Sequence, residues 1–523
     1  MGWERLRQQT GLALGLFSYL GRPLTLAEAE AQLRQRLERR EARFLEMARE
    51  LLYGRPGSPY ARLLAWAGCG PGDLGAAVRA HGVEGALERL RDAGVRLSLE
   101  EFKSNVPICR AGLTVETAPA DFDSLRVPGR SLEASTSGSR AARTRVLYDW
   151  QFLAEEAANE RVLHEVHRLA GAAGAFWMPA LPSISGIHNL LIQLKFRQPP
   201  ERWFSHLRGT PGGRLALEYL AWVSRGHGLR VPRPRFTDAA GAVQVAAWVE
   251  RQLAAGRTCY VKAFASSAVR VVQAAQERGL RLAGALFFTG GEPLTETRRE
   301  YLAAAGVKAV PRYVTTETGL VGAGCGSGPS PGSMHLYTDR LALVTGTPMG
   351  QAAAGPAPFL FTTLSGHTGK VLLNAELGDA GWVGRRRCGC RFGQLGMDLH
   401  LEGVHSTEKL TGEGMTLPVL ALHRIAAELV RAAGGGPDDF QFWEDHDERG
   451  LVRLTVAVSL RVPRLDEPGF VPAVLRRLRQ GAEGGGIVAD FWEQAGTLRL
   501  VRAEPEASAG FKLLPLLRRS PGR

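Results

Sequence analysis

Apolar positions recur at three- and four-residue spacing from residue 25 to residue 53, behind Thr25 and Glu28 and ahead of Gly54. The pattern predicts one long helix, capped by a Thr–Glu box and stopped by the glycine. The Arg and Glu residues on its other face read as solvated surface. Short helical pieces follow to about Gly94, ending at the segment Leu97 to Pro107.

From about residue 130 to 320 the period changes. Strand-type apolar runs at Thr258–Phe264, Gly284–Phe288 and Val307–Val310 alternate with helices such as Thr295–Ala305, which is α/β organisation. A glycine-containing, β-rich stretch covers about 335 to 402. Beyond Thr407 come a helix at Pro418–Ala433, a Gly-Gly-Gly-Pro linker, a strand at Leu451–Leu460, a helix at Val471–Gln480 and a strand at Thr497–Arg502. The expected class is therefore α/β, with a large domain over 1–406 and a small α+β domain over 407–523. Within the first, 1–130 is mostly helical and 131–406 forms the α/β core. No internal repeat is visible.

Composition narrows the function classes. With 523 residues, 45% hydrophobic and 22% charged, the chain can bury a large core and has length for two or three domains. The formal charge is +13, yet only seven of the 65 basic residues are lysines, and the arginines are scattered through Ala/Gly/Leu-rich sequence. No basic stripe alternates with stacking aromatics, so no nucleic-acid partner is expected. The longest early apolar run, Gly11 to Leu20, is half of what a bilayer needs, and Gly21-Arg22-Pro23 follows it in place of a cleavage site. Six cysteines do not make a disulfide framework. The expectation is a cytoplasmic enzyme, monomer or homodimer, without a membrane span.

Three short segments carry chemistry. Around Thr136, Ser137, Gly138 and Ser139, hydroxyls and backbone N–H groups could wrap a polyphosphate, or simply form a Ser/Gly loop. Gly290, Gly291, Glu292 and Pro293 follow an apolar strand, where two glycines let the backbone approach a planar ligand; the alternative is an ordinary strand-to-helix turn. About twenty residues on, Tyr313, Thr316 and Glu317 offer an aromatic, a hydroxyl and a carboxylate suited to adenine, phosphate and Mg²⁺, or else a strand end with a surface glutamate.

In this order and at these separations, the three segments resemble the adenylate-forming superfamily, in particular its phenylacetate–CoA ligase-like branch. The resemblance extends over most of the chain. Ser58-Pro59-Tyr60 and the Phe102-Lys103 region look like that branch's helical N-terminal segment, and Glu376-Leu377-Gly378-Asp379 sits where its ribose-binding aspartate lies. Pro505 to Lys512 resembles its last motif. The resemblance implies a large N-terminal α/β domain and a mobile C-terminal lid. It also implies ATP and Mg²⁺ as cofactors, with Tyr313 stacking adenine, Thr316 contacting the α-phosphate, Glu317 binding the metal, Asp379 binding ribose, and Lys512 neutralising charge during adenylation. The chain departs from the family pattern in two places. The phosphate loop continues Arg140-Ala141-Ala142-Arg143 in place of Thr-Gly-x-Pro-Lys, and the hinge at Gly403 to Glu408 lacks the family's arginine.

Cys388 and Cys390, with the distant Cys325 and His335, supply an S₃N set suited to tetrahedral Zn²⁺. The alternative is three reduced, partly buried cysteines; a four-ligand site would be structural, with no position left for water. The expected reaction is ATP-dependent activation of a carboxylic acid as acyl-adenylate, followed by transfer to coenzyme A, a carrier-protein thiol or an amine. The rivals are a degenerate nucleotide-binding scaffold and an acyl-protein synthetase. The latter's self-acylating C-terminal cysteine has no counterpart here, because no cysteine follows Cys390. Trp177 and His188 fall where the family builds its acyl pocket, His188 as a polar contact; equally, Trp177 reads as core and His188 as a cap.

Overall fold

The computed structural model describes residues 15–124, 131–135, 145–327, 330, 332–346, 356–406, 409–412, 415–436, 439–481, 485–506 and 516–519. Its spine is a twelve-stranded sheet. One half is six parallel strands, side by side as Pro234–Phe236, Arg202–Ser205, Ala173–Trp177, Cys259–Phe264, Leu286–Gly290 and Lys308–Thr315. In chain order this is 3-2-1-4-5-6, a doubly wound arrangement whose ligand crevice lies beyond the carboxyl ends of the strands. The other half is antiparallel and continues through Gly319–Ala323, Met334–Leu336, Leu399–Ser406, Ala375–Arg385, Ala357–Thr363 and Leu341–Thr345. The chain is thus mixed α/β, as expected. Among the described residues no helix is long and apolar enough to cross a membrane.

The capping box forms as read: the Glu28 N–H donates to Thr25 Oγ1 and the Thr25 N–H to Glu28 Oε2. The single long helix does not. The segment breaks at Arg39 into helices Leu26–Glu38 and Arg40–Met47, followed by a π-helical turn at Ala48–Tyr53. Most of its Arg and Glu residues are exposed, as expected, but four are not. Arg36 is buried against Asp339 at 2.7 Å, Arg43 reaches Glu155 at 2.9 Å, and Arg40 pairs with Glu84. These pairs tie the helices to the turn before Leu341–Thr345, to the helix Trp150–Val166 and to the helix Pro71–Asp92.

The helix Trp150–Val166 starts at Asp149, whose carboxylate accepts the Phe152 N–H at 2.6 Å. It buries three glutamates, and each carboxylate has cationic partners. Glu155 takes Arg43. Glu156 takes His188 at 2.5 Å and Arg340 at 3.1 Å, and Glu160 takes Arg312 at 2.7 Å and Lys262. Burial alone would raise the Glu160 carboxyl, but Arg312 and Lys262 hold it well below the usual range. Burial lowers Lys262 to about 7, against the pull of Glu160.

The C-terminal segment forms its own four-stranded sheet, ordered Leu498–Arg502, Val452–Val458, Phe440–His446 and Leu516–Arg518. Three helices, Val419–Ala432, Glu467–Gly481 and Gly485–Ala495, accompany it. The strand Phe440–His446 and the last of these helices escape the sequence pattern, because short apolar runs read alike in both periods. Phe442, Val456 and Trp492 pack in one cluster with Phe264 of the larger sheet and Leu207, just beyond the strand Arg202–Ser205.

Replacing Glu160 by alanine strands two buried cations. The expected loss is about 3–5 kcal/mol in urea unfolding. A loss under about 1 kcal/mol would mean that water, not the carboxylate, satisfies Lys262 and Arg312.

Candidate active site

A cavity of about 650 Å³ opens at the carboxyl ends of Leu286–Gly290 and Lys308–Thr315, on the side of the parallel set that meets the antiparallel half. Both of the later motifs line it. Gly291 has a positive φ of 74°, a conformation that favours glycine, and no side chain stands between its backbone and the cavity. Register with the antiparallel neighbour slips between Tyr313 and Val314, a bulge of the kind that re-aims strand ends beside sites. Thr316 and Glu317 lie just beyond it, on the cavity wall.

Glu292 is not a free wall group. Its buried carboxylate accepts from the Ser266 hydroxyl at 2.7 Å, the Ser266 N–H at 3.2 Å and Arg298 Nη1 at 2.7 Å. It therefore pins the glycine turn to the helix Ala265–Arg278. Arg298, almost wholly buried, also donates from Nε to the Gly450 carbonyl, so the same guanidinium ties this turn to the C-terminal segment.

Tyr313 and Asp379 meet. The phenol donates to Asp379 Oδ2 at 2.6 Å, and burial, then Asp379, push its pKa well above the ordinary tyrosine value. Their strands are four ladder steps apart, ~19 Å across a flat sheet. Two side chains cannot span that, so the antiparallel half must curl back over the cavity. Gly403 to Ser406 of the hinge motif complete this wall. Glu317 differs from Asp379: the residue is 6% exposed, and its side chain has no hydrogen bond or ion pair among the described residues. A buried anion without a partner invites a cation.

Other predicted residues are placed as follows. Thr136, Ser137, Gly138 and Ser139 lie outside the described residues, as does Lys512. The strands on either side of Thr136 to Ser139, Ser131–Ser135 and Arg145–Asp149, pair antiparallel, and the helix Trp150–Val166 comes next. Trp177 is core, fully buried with its indole N–H on the Thr237 carbonyl at 3.1 Å. His188 is neither a cap nor a free polar contact, because Glu156 holds its Nε2. Lys103, of the Phe102-Lys103 segment, also lines the cavity, as do Arg299 and Trp382, which no motif announces. Trp382 alternates along a strand paired to the hinge strand, a cue available only once the register is known.

Cys325, His335, Cys388 and Cys390 come together away from the cavity, with their ligand atoms all within 4.8 Å of one another. Cys325 and Cys388 sulfurs are 3.6 Å apart, too far for a disulfide and close to the ~3.7 Å edge of a tetrahedron built on Zn–S bonds. His335 is fully buried, with Nδ1 at 2.8 Å from the Met397 carbonyl and Nε2 at 3.1 Å from Cys390 Sγ. A carbonyl on Nδ1 fixes the tautomer that leaves Nε2 free to ligate. Hydrogen bonding from Cys390 lowers the Cys325 thiol, while the same bond pushes Cys390 up. The donor set fits a tetrahedral metal with no open position.

No protein-family model and no curated protein matches this sequence. Solved structures do. The fold is similar to that of a 2-hydroxyisobutyryl-CoA ligase, solved with 2-HIB-AMP and CoA in the thioesterification state: TM-score 0.55, 14% identity, covering 92% of this chain and 89% of that one. An amide bond synthetase from Marinactinospora thermotolerans aligns over 90% of this chain and 92% of its own, at 12% identity and a TM-score of 0.41. At such identity the likeness establishes the fold alone: this chain has the fold of the 2-hydroxyisobutyryl-CoA ligase.

Proposed function

We propose that this chain uses ATP to activate a carboxylic acid as an acyl-adenylate and passes the acyl group to coenzyme A or another external thiol or amine. The observation that carries the reading is Glu317, a buried residue whose carboxylate has no partner among the described residues, on the wall of a cavity that also holds Tyr313 and Asp379. In this reading Thr136 to Ser139 wrap the triphosphate and the turn Gly290, Gly291, Glu292 and Pro293 lies against adenine. Tyr313 stacks the base while its phenol orients Asp379 toward the ribose hydroxyls. Thr316 contacts the α-phosphate. Bound Mg²⁺ on Glu317 would neutralise phosphate charge.

A carboxylate oxygen of the acid attacks the α-phosphorus, the bond to the β-phosphate oxygen breaks, and pyrophosphate leaves with the electron pair. Lys512 lowers the cost of bringing two anions together. Residues 407–523 act as the lid that carries it; turning about the hinge withdraws the lysine, and the acceptor then attacks the acyl carbon and displaces AMP. The phenylacetate–CoA ligase-like branch and a cytoplasmic location belong to the same proposal, supported by the motif order. Cys325, His335, Cys388 and Cys390 hold a structural Zn²⁺.

Glu317→Gln gives the sharpest test. A bare carboxylate ~4 Å from a phosphate oxygen costs about 4 kcal/mol at an effective dielectric of 20, so wild-type ATP binding should require Mg²⁺. The variant is expected to bind ATP with weaker Mg²⁺ dependence and to lose acid-dependent pyrophosphate release. Unchanged Mg²⁺ dependence would remove Glu317 from the site. No release over a broad panel of aryl and fatty acids, despite ATP binding, would favour a scaffold.

Lys512→Ala should slow adenylation by about 10²–10³-fold while sparing thioester formation from a preformed acyl-adenylate. Equal losses in both half-reactions would assign the lysine a structural role. Metal analysis of the purified protein should find about one zinc per chain, and Cys388→Ser should lower both metal content and melting temperature. A metal-free wild type of undiminished stability would sink the zinc assignment.

A further inference from the structure

The helix Pro211–Gly226 links two parallel strands, Arg202–Ser205 and the edge strand Pro234–Phe236. It is apolar on two faces. Leu217, Leu220 and Val223 point inward and are buried. On the outside, Leu215 is 74% exposed, Tyr219 39% and Trp222 68%. Their spacing of four and three residues puts them in one stripe, and the Tyr219 and Trp222 rings are 6.2 Å apart. An inward face is what a crossover helix needs; the outward stripe serves no packing among the described residues.

The surroundings are basic. Between residues 208 and 236 there are six exposed arginines (Arg208, Arg214, Arg225, Arg230, Arg233 and Arg235) and a single acid. That acid, Glu218, is paired with Arg233 at 2.8 Å. Arg214 and Arg225 share a row about a quarter-turn from the apolar stripe. Arg208 stacks over Phe236 of the edge strand, its guanidinium 4.3 Å from the ring centroid.

We infer that this face docks on an anionic lipid surface, with Leu215, Tyr219 and Trp222 entering the interface and the arginines meeting lipid phosphates. Three observations select this occupant. Leucine, tyrosine and tryptophan beside arginines are the chemistry of a helix lying in a headgroup layer. The three side chains expose on the order of 400 Å², about half of what one partner buries in a standard protein interface. A second copy would bring two arginine clusters face to face, and like charges there oppose pairing. This docking is separate from the active site and stands whether or not the proposed reaction does.

The test is co-sedimentation of the full-length protein with vesicles of phosphatidylcholine alone or of phosphatidylcholine doped with phosphatidylglycerol. Binding is expected only to the doped vesicles and should weaken as salt rises. Trp222→Ser should cut it by about tenfold, the loss expected for one large apolar anchor. Arg214→Gln combined with Arg225→Gln should also weaken it, and all three substitutions are at exposed positions, so melting temperatures should match wild type. Equal binding to both vesicle types overturns the inference, as does undiminished binding by the variants. A wild-type dimer that Trp222→Ser converts to monomer would overturn it too, and so would an acidic protein competing where the doped vesicles do not bind.

Discussion

Three glutamates buried on one helix must each find a cation, and this requirement organises the larger part of the molecule. A buried carboxylate without a partner costs several kcal/mol, so Glu155, Glu156 and Glu160 of the helix Trp150–Val166 recruit charge from remote segments. Glu155 draws in Arg43 from the N-terminal helices. Glu156 holds His188, Arg340 and the Leu320 backbone N–H. Glu160 holds Lys262 and Arg312 from two strands of the parallel half. Arg312 precedes Tyr313 on its strand, so a charge pair deep in the core helps set the position of a residue on the cavity wall.

The cavity then depends on curvature. Tyr313 and Asp379 bond only because the antiparallel strands wrap back over the ends of the parallel ones. Glycines permit this wrapping. A Cβ at Gly381 would meet the Phe359 ring and the Glu402 carbonyl, and one at Gly322 would lie 2.4 Å from the His335 carbonyl. The second contact is at His335, which supplies the nitrogen donor of the cysteine–histidine cluster. One close-packed region thus supports both the cavity wall and the four-donor cluster.

The C-terminal segment is coupled to the site by a polar contact and an apolar one. Arg298 joins Glu292 of the glycine turn to the Gly450 carbonyl. Nearby, His206 stacks at 4.8 Å on Trp177 and packs at 4.9 Å against Phe491, and burial lowers it to about 3, keeping it neutral. A neutral ring suits an apolar seam; protonating it would place an unpaired charge there. Any movement of the segment must break the Arg298 contact, which links its position to the turn on the cavity wall.

Short-range patterns were legible in the sequence because backbone chemistry is local. The Thr25–Glu28 cap, the glycine turn at 290–291, the order of the three motifs and the Cys388-x-Cys390 pair each lie within a few residues. Helix and strand periods likewise located three of the six parallel strands, at Cys259–Phe264, Leu286–Gly290 and Lys308–Thr315. Long-range pairing was not legible, since an arginine on a helix looks the same in sequence whether it meets water or a buried acid. Arg36 therefore read as surface and proved to be bound to Asp339, and His188 read as a pocket or cap residue and proved to be bound to Glu156. Residue types and local turns were determined by the sequence itself. Which charges are neutralised, and that Tyr313 meets an aspartate 66 residues away, was decided by a sheet that curls and a helix whose buried acids demand partners.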